Sequence, residues 1–361
     1  MTGRDRAYIW LSMSEGLGPR RLVRLLAFCP DAHTLMGMSR SDWAPHVGAD
    51  VAANMADARG KVDDMMARVD ALGIRVVSRE SAEYPADLLA VYDPPIALYV
   101  KGSASLSHGK MLAMVGSRVC TRYGGEVSRM LAADLARAGV CVVSGLARGI
   151  DTACHMGALA GGGETIAVLG CGHDVIYPPE NAALYQRIME SGAVVSEYLP
   201  GAPPHASHFP LRNRIISGMS QGVVLVEGAK GSGAMITVDY ALEHGRDVFA
   251  VPGNVTSSKS VEPNRMIRDG AHVASCAQDI LYVMGWGELE RKRTKNRTSL
   301  QISIEEAKVV SLVQDQDMTF EELVQATGME VASLNSLLTM LTLRGIMKQS
   351  PGRVFSVNAE I

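Results

Sequence analysis

The sequence predicts an α/β fold: a Rossmann-like parallel sheet with a flanking helical N-terminal domain (SAM or helix-hairpin-helix-like) and a C-terminal winged-helix domain. Three observations carry this expectation. Between Met111 and Val251, short apolar or β-branched runs alternate with segments of helical pattern, the signature of βα units around a parallel sheet. A glycine-rich or otherwise punctuated turn follows nearly every run, at the strand ends where open α/β sheets bind ligands. Beyond Ile304 the order of patterns changes to helix, helix, helix and hairpin.

Taken in order, residues 1–70 read as a small helical domain. Within it, Ser12 to Arg21 contains Gly16-Leu17-Gly18-Pro19, which has the form of a helix-hairpin-helix turn that presents backbone amides to a DNA phosphate. The same residues also fit a helix C-cap glycine followed by proline at the start of the next helix. Residues 71–285 form the expected extended Rossmann-like domain. Its first strands, Ile74–Val77 and Ala97–Val100, with turns at Tyr84-Pro85 and Pro94-Pro95, add a layer to the main sheet. The main strands are Met111–Val115, Val140–Val143, Thr165–Leu169, Ala193–Val195, Val223–Val226 and Val248–Val251. Residues 286–302 form a polar linker with Arg291, Lys292, Arg293, Lys295 and Arg297, expected to be chiefly a solvated tether. Residues 303–361 form the winged helix, with Glu330–Arg344 as the third helix and Gly345–Val357 as the wing. That third helix offers few basic residues for anchoring phosphates, so a protein-contact or regulatory role is expected of it.

The turns define the chemistry. Glycine lets backbone approach an anion closely, and amides at a helix N-terminus point toward it with a favourable dipole. Arg118, Arg122, Arg148, Arg212, Arg214 and Lys230 lie in or beside these turns and add positive charge. A polyanion or phosphorylated ligand is implied. Ordinary dinucleotide chemistry and ATP hydrolysis are disfavoured: neither G-x-G-x-x-G with its downstream acid nor G-x-x-x-x-G-K-[ST] is present.

The turn motifs, taken together, resemble the signature of the bacterial DNA-processing protein family (DprA, also called Smf). They are Gly116-Ser117-Arg118, Ser144-Gly145-Leu146-Ala147-Arg148-Gly149-Ile150-Asp151 with His155, Tyr177-Pro178, Ser196-Glu197, Phe209-Pro210-Leu211-Arg212-Asn213-Arg214, Ser232-Gly233-Ala234 with Thr237, and Val251-Pro252-Gly253. The match runs from about Tyr84 to about Ala271. The resemblance implies a non-enzymatic protein of natural transformation that binds single-stranded DNA, recruits the recombinase RecA onto it and works as a homodimer paired through the Rossmann-like domain. It implies no cofactor and no metal. Carried onto this chain, the DNA-binding set comprises Gly116, Ser117, Arg118, Arg122, Gly145, Arg148, Gly149, His205, Phe209, Arg212, Asn213, Arg214, Lys230, Ser232, Gly233 and Gly253. Amides at Gly116, Gly145, Gly233 and Gly253 are expected to complete a phosphate track.

Two departures stand out. His205 and His208 occupy a stretch where the family often carries a basic residue, and an unperturbed histidine is mostly uncharged near neutral pH, so this contact is expected to be weaker or pH-dependent. Val261-Glu262-Pro263-Asn264-Arg265 stands where a glycine-containing turn before the asparagine is common.

The rival expectation is a Rossmann-like enzyme or sensor of a nucleotide-derived small molecule, with Glu197 and the Glu227–Gly233 loop holding a ribose phosphate. Asp151 and His155, at i and i+4, have the spacing of a general-base pair, but no nucleophile lies beside them; a helix cap and a buried hydrogen bond fit better. Bulk properties add bounds. A chain of 361 residues is long enough for two or three domains. A net charge of −3 requires any basic surface to be local. The six cysteines include no C-x-x-C pair and read as reduced, mostly buried thiols. With no signal-peptide pattern and no apolar run of membrane-spanning length, a cytoplasmic protein without membrane contact is expected. Aromatic residues make up only 5%, so DNA affinity is expected to come mainly from phosphate contacts and to depend strongly on salt.

Overall fold

The computed structural model describes residues 2–287, 303–314, 316–350 and 352–357. The basic stretch from Arg291 to Arg297 lies outside the described residues. The chain forms two compact units, Met1–Glu290 and Arg291–Ile361.

The first unit opens with five helices: α1 (Gly3–Met13), α2 (Pro19–Phe28), α3 (Ala32–Gly37), α4 (Arg40–Val47) and α5 (Ala49–Ala71). Thr2 starts α1 with a capping box shared with Asp5, satisfying two otherwise orphaned amides. Trp10 and Trp43 form the centre of this layer, 5.2 Å apart, and each indole N–H finds a backbone carbonyl, of Met55 (2.7 Å) and Leu35 (3.0 Å) respectively. Strand β1 (Arg75–Ser78), helix α6 (Ala86–Leu89) and strand β2 (Ala97–Gly102) lead into the main sheet.

The α/β pattern then runs β3 (Met111–Val115), α7 (Arg122–Arg137), β4 (Cys141–Ser144), α8 (Ile150–Ala160), β5 (Thr165–Val168), α9 (Ala182–Ser191), β6 (Ala193–Ser196), α10 (His208–Met219), β7 (Gly222–Leu225), α11 (Ala234–Glu243), β8 (Asp247–Ala250), α12 (Val261–Arg268), β9 (His272–Val273) and α13 (Ala277–Val283). The spatial order is β1-β2-β6-β5-β4-β3-β7-β8-β9. Strands from β6 to β9 pair in parallel, whereas β1 with β2 and β2 with β6 are antiparallel. The expected parallel sheet with an added layer is therefore present. Successive strands after β3 build outward on one side and strands after β6 on the other, so the topological switch falls between β3 and β7. Burial on both faces explains why these strands read as continuous apolar runs.

Helices α7 and α8 approach closely because small residues face each other. A Cβ on Gly157 would lie 2.4 Å from the Arg129 carbonyl oxygen, and one on Gly161 would lie 2.4 Å from that of Ala133. Both neighbours are backbone and cannot swing away. Gly157→Ala is therefore expected to force the helices apart and cost about 1–3 kcal/mol, despite alanine's better helix propensity. Differential scanning calorimetry would show this as a midpoint several degrees lower; an unchanged or higher midpoint would mean that the helices yield freely.

The second unit contains α14 (Ile304–Gln314), β10 (Met318–Thr319), α15 (Phe320–Thr327), α16 (Val331–Leu343), β11 (Met347–Ser350) and β12 (Val354–Val357). Its sheet order is β10-β12-β11, the three helices and hairpin of a winged helix. The third helix, α16, has no lysine or arginine, and Arg344 at its end is bound to Glu306 at 2.8 Å. Among the described residues, no helix is long and apolar enough to cross a membrane.

Candidate nucleic-acid interface

The site is built at the switch between β3 and β7. In a dinucleotide fold the helix after the first strand receives a phosphate at its N-terminus. Here α7 has an internal anion instead. Glu227, at the end of β7 and only 2% exposed, accepts from the Thr121 amide (2.9 Å) and from the Thr121 hydroxyl. Gly124 leaves room for that carboxylate, since a Cβ there would lie 2.3 Å from the Glu227 Cδ. The Ser117 amide also donates to the Glu227 carbonyl (2.9 Å), tying the two turns together. The position a pyrophosphate would use is thus filled by the chain itself.

Beside this plug lies an open cleft of about 430 Å3 between the β3 turn, α10 and α11. Arg118, Ser117, Phe209, Asn213, Ser232, Gly233 and Lys259 line it. Arg118 is exposed and makes no ion pair among the described residues; its guanidinium lies 5.4 Å from the Phe209 ring centroid, a cation–π geometry. Lys259 was not foreseen from the sequence. Its Nζ donates to the Ser117 hydroxyl at 3.0 Å, and that hydroxyl donates in turn to the Val119 carbonyl at 2.8 Å. Gly233 opens α11 without a side-chain cap and with open space around it, so the positive end of that helix dipole faces the cleft. Asn213 crosses to the Gly233 carbonyl at 3.4 Å.

A narrow slot adjoins the cleft, lined by Arg118, Arg148, Tyr177 and Phe209. Phe209 rests on Gly170, where a Cβ would come within 2.9 Å of its ring, and lies 5.4 Å from the Tyr177 ring. The exposed Arg148 lies 5.9 Å over Tyr177 and is paired with Glu180 through both nitrogens of its fork, one at 3.1 Å. An exposed pair of this kind holds weakly and can exchange its carboxylate for a phosphate.

Several expected phosphate ligands already have partners within the protein. Arg212 lines both the cleft and the slot but is only 4% exposed; its Nη1 donates to the carbonyls of Gly145 (2.8 Å) and Val168, bracing the turns after β4 and β5 from beneath. Its charge faces Asp151, which accepts from the Gly145 amide at 3.1 Å. Burial raises the Asp151 pKa, an effect that Arg212 opposes. Arg214 points out of the cleft and binds Glu197 (3.1 and 2.7 Å) and Asp93 (3.4 Å). Arg122 pairs with Glu126 along α7 at 2.8 Å. Lys230 is exposed and does not line the cleft, and His205 is bonded to Ser207 and packed against His208 outside it.

The expected amide track is also shortened. The Gly145 amide serves Asp151, and the Gly253 amide serves Asn264 (3.1 Å), whose own amide returns to the Gly253 carbonyl (2.9 Å). That exchange fixes the loop before α12 where the glycine-containing turn was missing. Gly116 is wedged between Ile150 and the Glu227 carbonyl, and Gly149 packs against the Ser117 and Arg118 carbonyls at a φ of +75°, which suits glycine alone. The missing side chains at these glycines let the turns pack together, with Gly116 still lining the cleft. The rival's two carboxylates, Glu197 and Glu227, are likewise committed and do not line the cleft.

Asp151 and His155 form no acid–base pair. The His155 Nδ1 bonds Thr165 Oγ1 at 2.7 Å, and that hydroxyl donates to the Val142 carbonyl at 2.6 Å, so Nδ1 carries the proton. Burial pushes the His155 pKa down to about 3 and that of His173 to about 4. His173 sits between the Tyr185 hydroxyl (2.9 Å) and the Tyr99 carbonyl (2.8 Å). Both rings are neutral in the folded state but bind protons below about pH 6.5 when unfolded. Stability contributed by neutrality is therefore complete above pH 6.5 and is lost as pH falls toward 4. At pH 5 the loss is expected to be roughly 2–4 kcal/mol in total, part of it offset by Asp151, whose raised pKa acts in the opposite direction. Urea titrations at pH 7.5 and pH 5 would test this; equal stability at the two values would contradict it.

Among the described residues no cluster of His, Cys, Asp and Glu is arranged to hold a metal ion. The family described as DNA recombination-mediator protein A matches residues 75–285, and the DprA winged helix domain matches residues 293–353. The chain belongs to the DprA/Smf family. It is 45% identical over 198 residues to the DNA processing protein DprA of Streptococcus pneumoniae, covering 55% of this chain and 70% of that protein. It is 36% identical over 283 residues to the Protein Smf of Escherichia coli, covering 77% and 76%. The X-ray structure of the S. pneumoniae DprA superposes with a TM-score of 0.69 at 35% identity, covering 78% of this chain and 98% of that one. DNA processing protein A from Helicobacter pylori, whose structure is reported for its single-stranded DNA binding mode, gives a TM-score of 0.53 at 28% identity over 58% of this chain and 95% of that one. The DprA/Smf motifs converge on the β3–β7 switch, although several serve the scaffold rather than the cleft.

Proposed function

We propose that this DprA/Smf protein binds single-stranded DNA without sequence preference in the cleft at the β3–β7 switch, without catalysing a reaction on it. The carrying observation is Arg118: exposed, without a carboxylate partner among the described residues, and set over Phe209 at the mouth of the cleft. Lys259 adds a second cation and α11 a dipole end, while Phe209 and Tyr177 supply ring faces for bases. Such a site neutralises phosphates and stacks bases but offers no hydrogen-bond code for any one base, hence the absence of sequence preference. The single-stranded DNA binding reported for the H. pylori relative supports the same reading. Loading of a RecA-type recombinase by a homodimer, in natural transformation, follows from family membership and is part of the proposal.

The test is fluorescence anisotropy with a labelled mixed-sequence single strand, competed with unlabelled duplex and with a mononucleotide. The expected result is tight binding that weakens with salt and that neither competitor displaces at equal nucleotide concentration. Displacement by the mononucleotide, with a matching thermal shift, would favour the small-ligand reading instead.

A further inference from the structure

The helical layer contains a basic surface that the cleft does not use. Helix α2 is amphipathic: Leu22 and Leu25 are buried, whereas Arg20, Arg24 and Phe28, at i, i+4 and i+8, are all exposed and lie along one face. Arg21 is exposed beside them and donates to the Gly16 carbonyl at 2.9 Å. No acidic residue occurs between Gly16 and Pro30, and none of these three arginines makes an ion pair among the described residues. Elsewhere in this layer Arg6 pairs with Asp63 and Arg68 with Asp174. Phe28 stacks on His46 at 4.1 Å and remains 46% exposed, presenting a ring edge and face at the end of the arginine row.

The hairpin that carries this row is held rigidly. A Cβ on Gly16 would lie 3.1 Å from Val51, and the Asn54 side chain donates to the Glu15 carbonyl at 3.1 Å, so the turn before α2 is pinned to α5. At its other end α5 reaches the sheet's ligand edge: Arg68 binds Asp174, in the turn after β5, which holds the Gly201 amide at 2.8 Å. Fourteen residues of helix separate Asn54 from Arg68, about 20 Å at 1.5 Å per residue. The arginine row and the ligand edge are thus attached to one rigid rod.

We infer that the α2 face formed by Arg20, Arg21, Arg24 and Phe28 is a second DNA-backbone contact, engaged by strands long enough to leave the cleft. The inference rests on the proposed single-strand binding in the cleft. Charge complementarity selects the occupant: a row of fixed guanidinium groups with no interleaved carboxylate matches a polyphosphate chain, and the Phe28 ring suits an unpaired base. A strand of about six nucleotides, about 20 Å at about 3.4 Å per stacked nucleotide, is expected to occupy the cleft alone, and one of about thirty to reach both surfaces.

The experiment compares these two lengths against wild type and the Arg20→Gln/Arg24→Gln variant, with Arg118→Ala as the cleft control. For the long strand, the double variant is expected to bind about tenfold more weakly and to show a salt slope smaller by about 1.4, or about 0.7 for each lost contact. For the short strand it is expected to match wild type. An unchanged affinity and slope with the long strand, at an unchanged melting midpoint, would overturn the inference. Equal weakening with both lengths would overturn it as well, because α2 would then belong to the primary site. Failure of the cleft reading is distinguishable: Arg118→Ala would bind both lengths like wild type.

Discussion

Arg118→Ala is expected to weaken single-strand binding by about tenfold to a hundredfold while leaving the melting midpoint within a degree or two of wild type. A charge-assisted phosphate contact contributes about 1.5–3 kcal/mol, and each 1.4 kcal/mol is a factor of ten in affinity. The side chain is exposed and contributes no ion pair to the fold among the described residues, so its loss removes a ligand contact without removing support. Its loss should also reduce the salt slope by about 0.7, the value for one phosphate on a single strand. Anisotropy titrations at several salt concentrations measure both quantities. Affinity and slope equal to wild type would show that the ligand lies elsewhere on the surface.

Arg212→Met should behave in the opposite way. Methionine fills much of the volume but leaves the carbonyls of Gly145 and Val168 without their donor and removes the positive charge facing the buried Asp151. Removing one partner from a buried charged network costs about 3–5 kcal/mol, and in a unit of this size each kcal/mol moves the midpoint by about 2–4 °C. A fall of roughly 10 °C is therefore expected, with DNA affinity of the folded fraction, measured well below the midpoint, reduced only modestly. A normal midpoint with a large loss of affinity would make Arg212 a phosphate ligand after all.

The contrast between these two arginines shows what was legible in the sequence. Both follow the same rule, a basic residue in or beside a glycine turn at a strand's end, and pattern alone gives them the same role. Only packing separates them: Arg118 is exposed at the cleft, whereas Arg212, on the first turns of α10, lines the cleft wall but is buried and directed under Gly145. Arg214, two residues on, faces Glu197 for the same helical reason. The strands were readable because sheet burial on both faces makes them apolar runs bounded by glycine, and the winged helix because its capping and hairpin signals are local. Strand β9, only His272–Val273, is too short to carry a periodicity.

The glycines show what a sequence pattern leaves open. Glycine permits close approach without saying of what, and at Gly116, Gly124, Gly145 and Gly149 the approaching group is the protein's own backbone or side chain. Lys259 was missed because it lies 142 residues from Ser117 and belongs to no motif. The available signal was its place as the lone basic residue in the turn after β8, at the same sheet edge as the others. The Glu227 plug could not be read either, since a buried carboxylate at a helix N-terminus looks, in sequence, like any acid in a glycine loop.

Photo-crosslinking locates the strand most directly. A mixed-sequence oligonucleotide carrying 5-iodouracil would be irradiated with the full chain and the labelled peptides identified by mass spectrometry. Binding in the β3–β7 cleft predicts adducts on the peptides that contain Phe209 or Tyr177, suppressed by Arg118→Ala. Efficient crosslinking with no adduct on either peptide would contradict it.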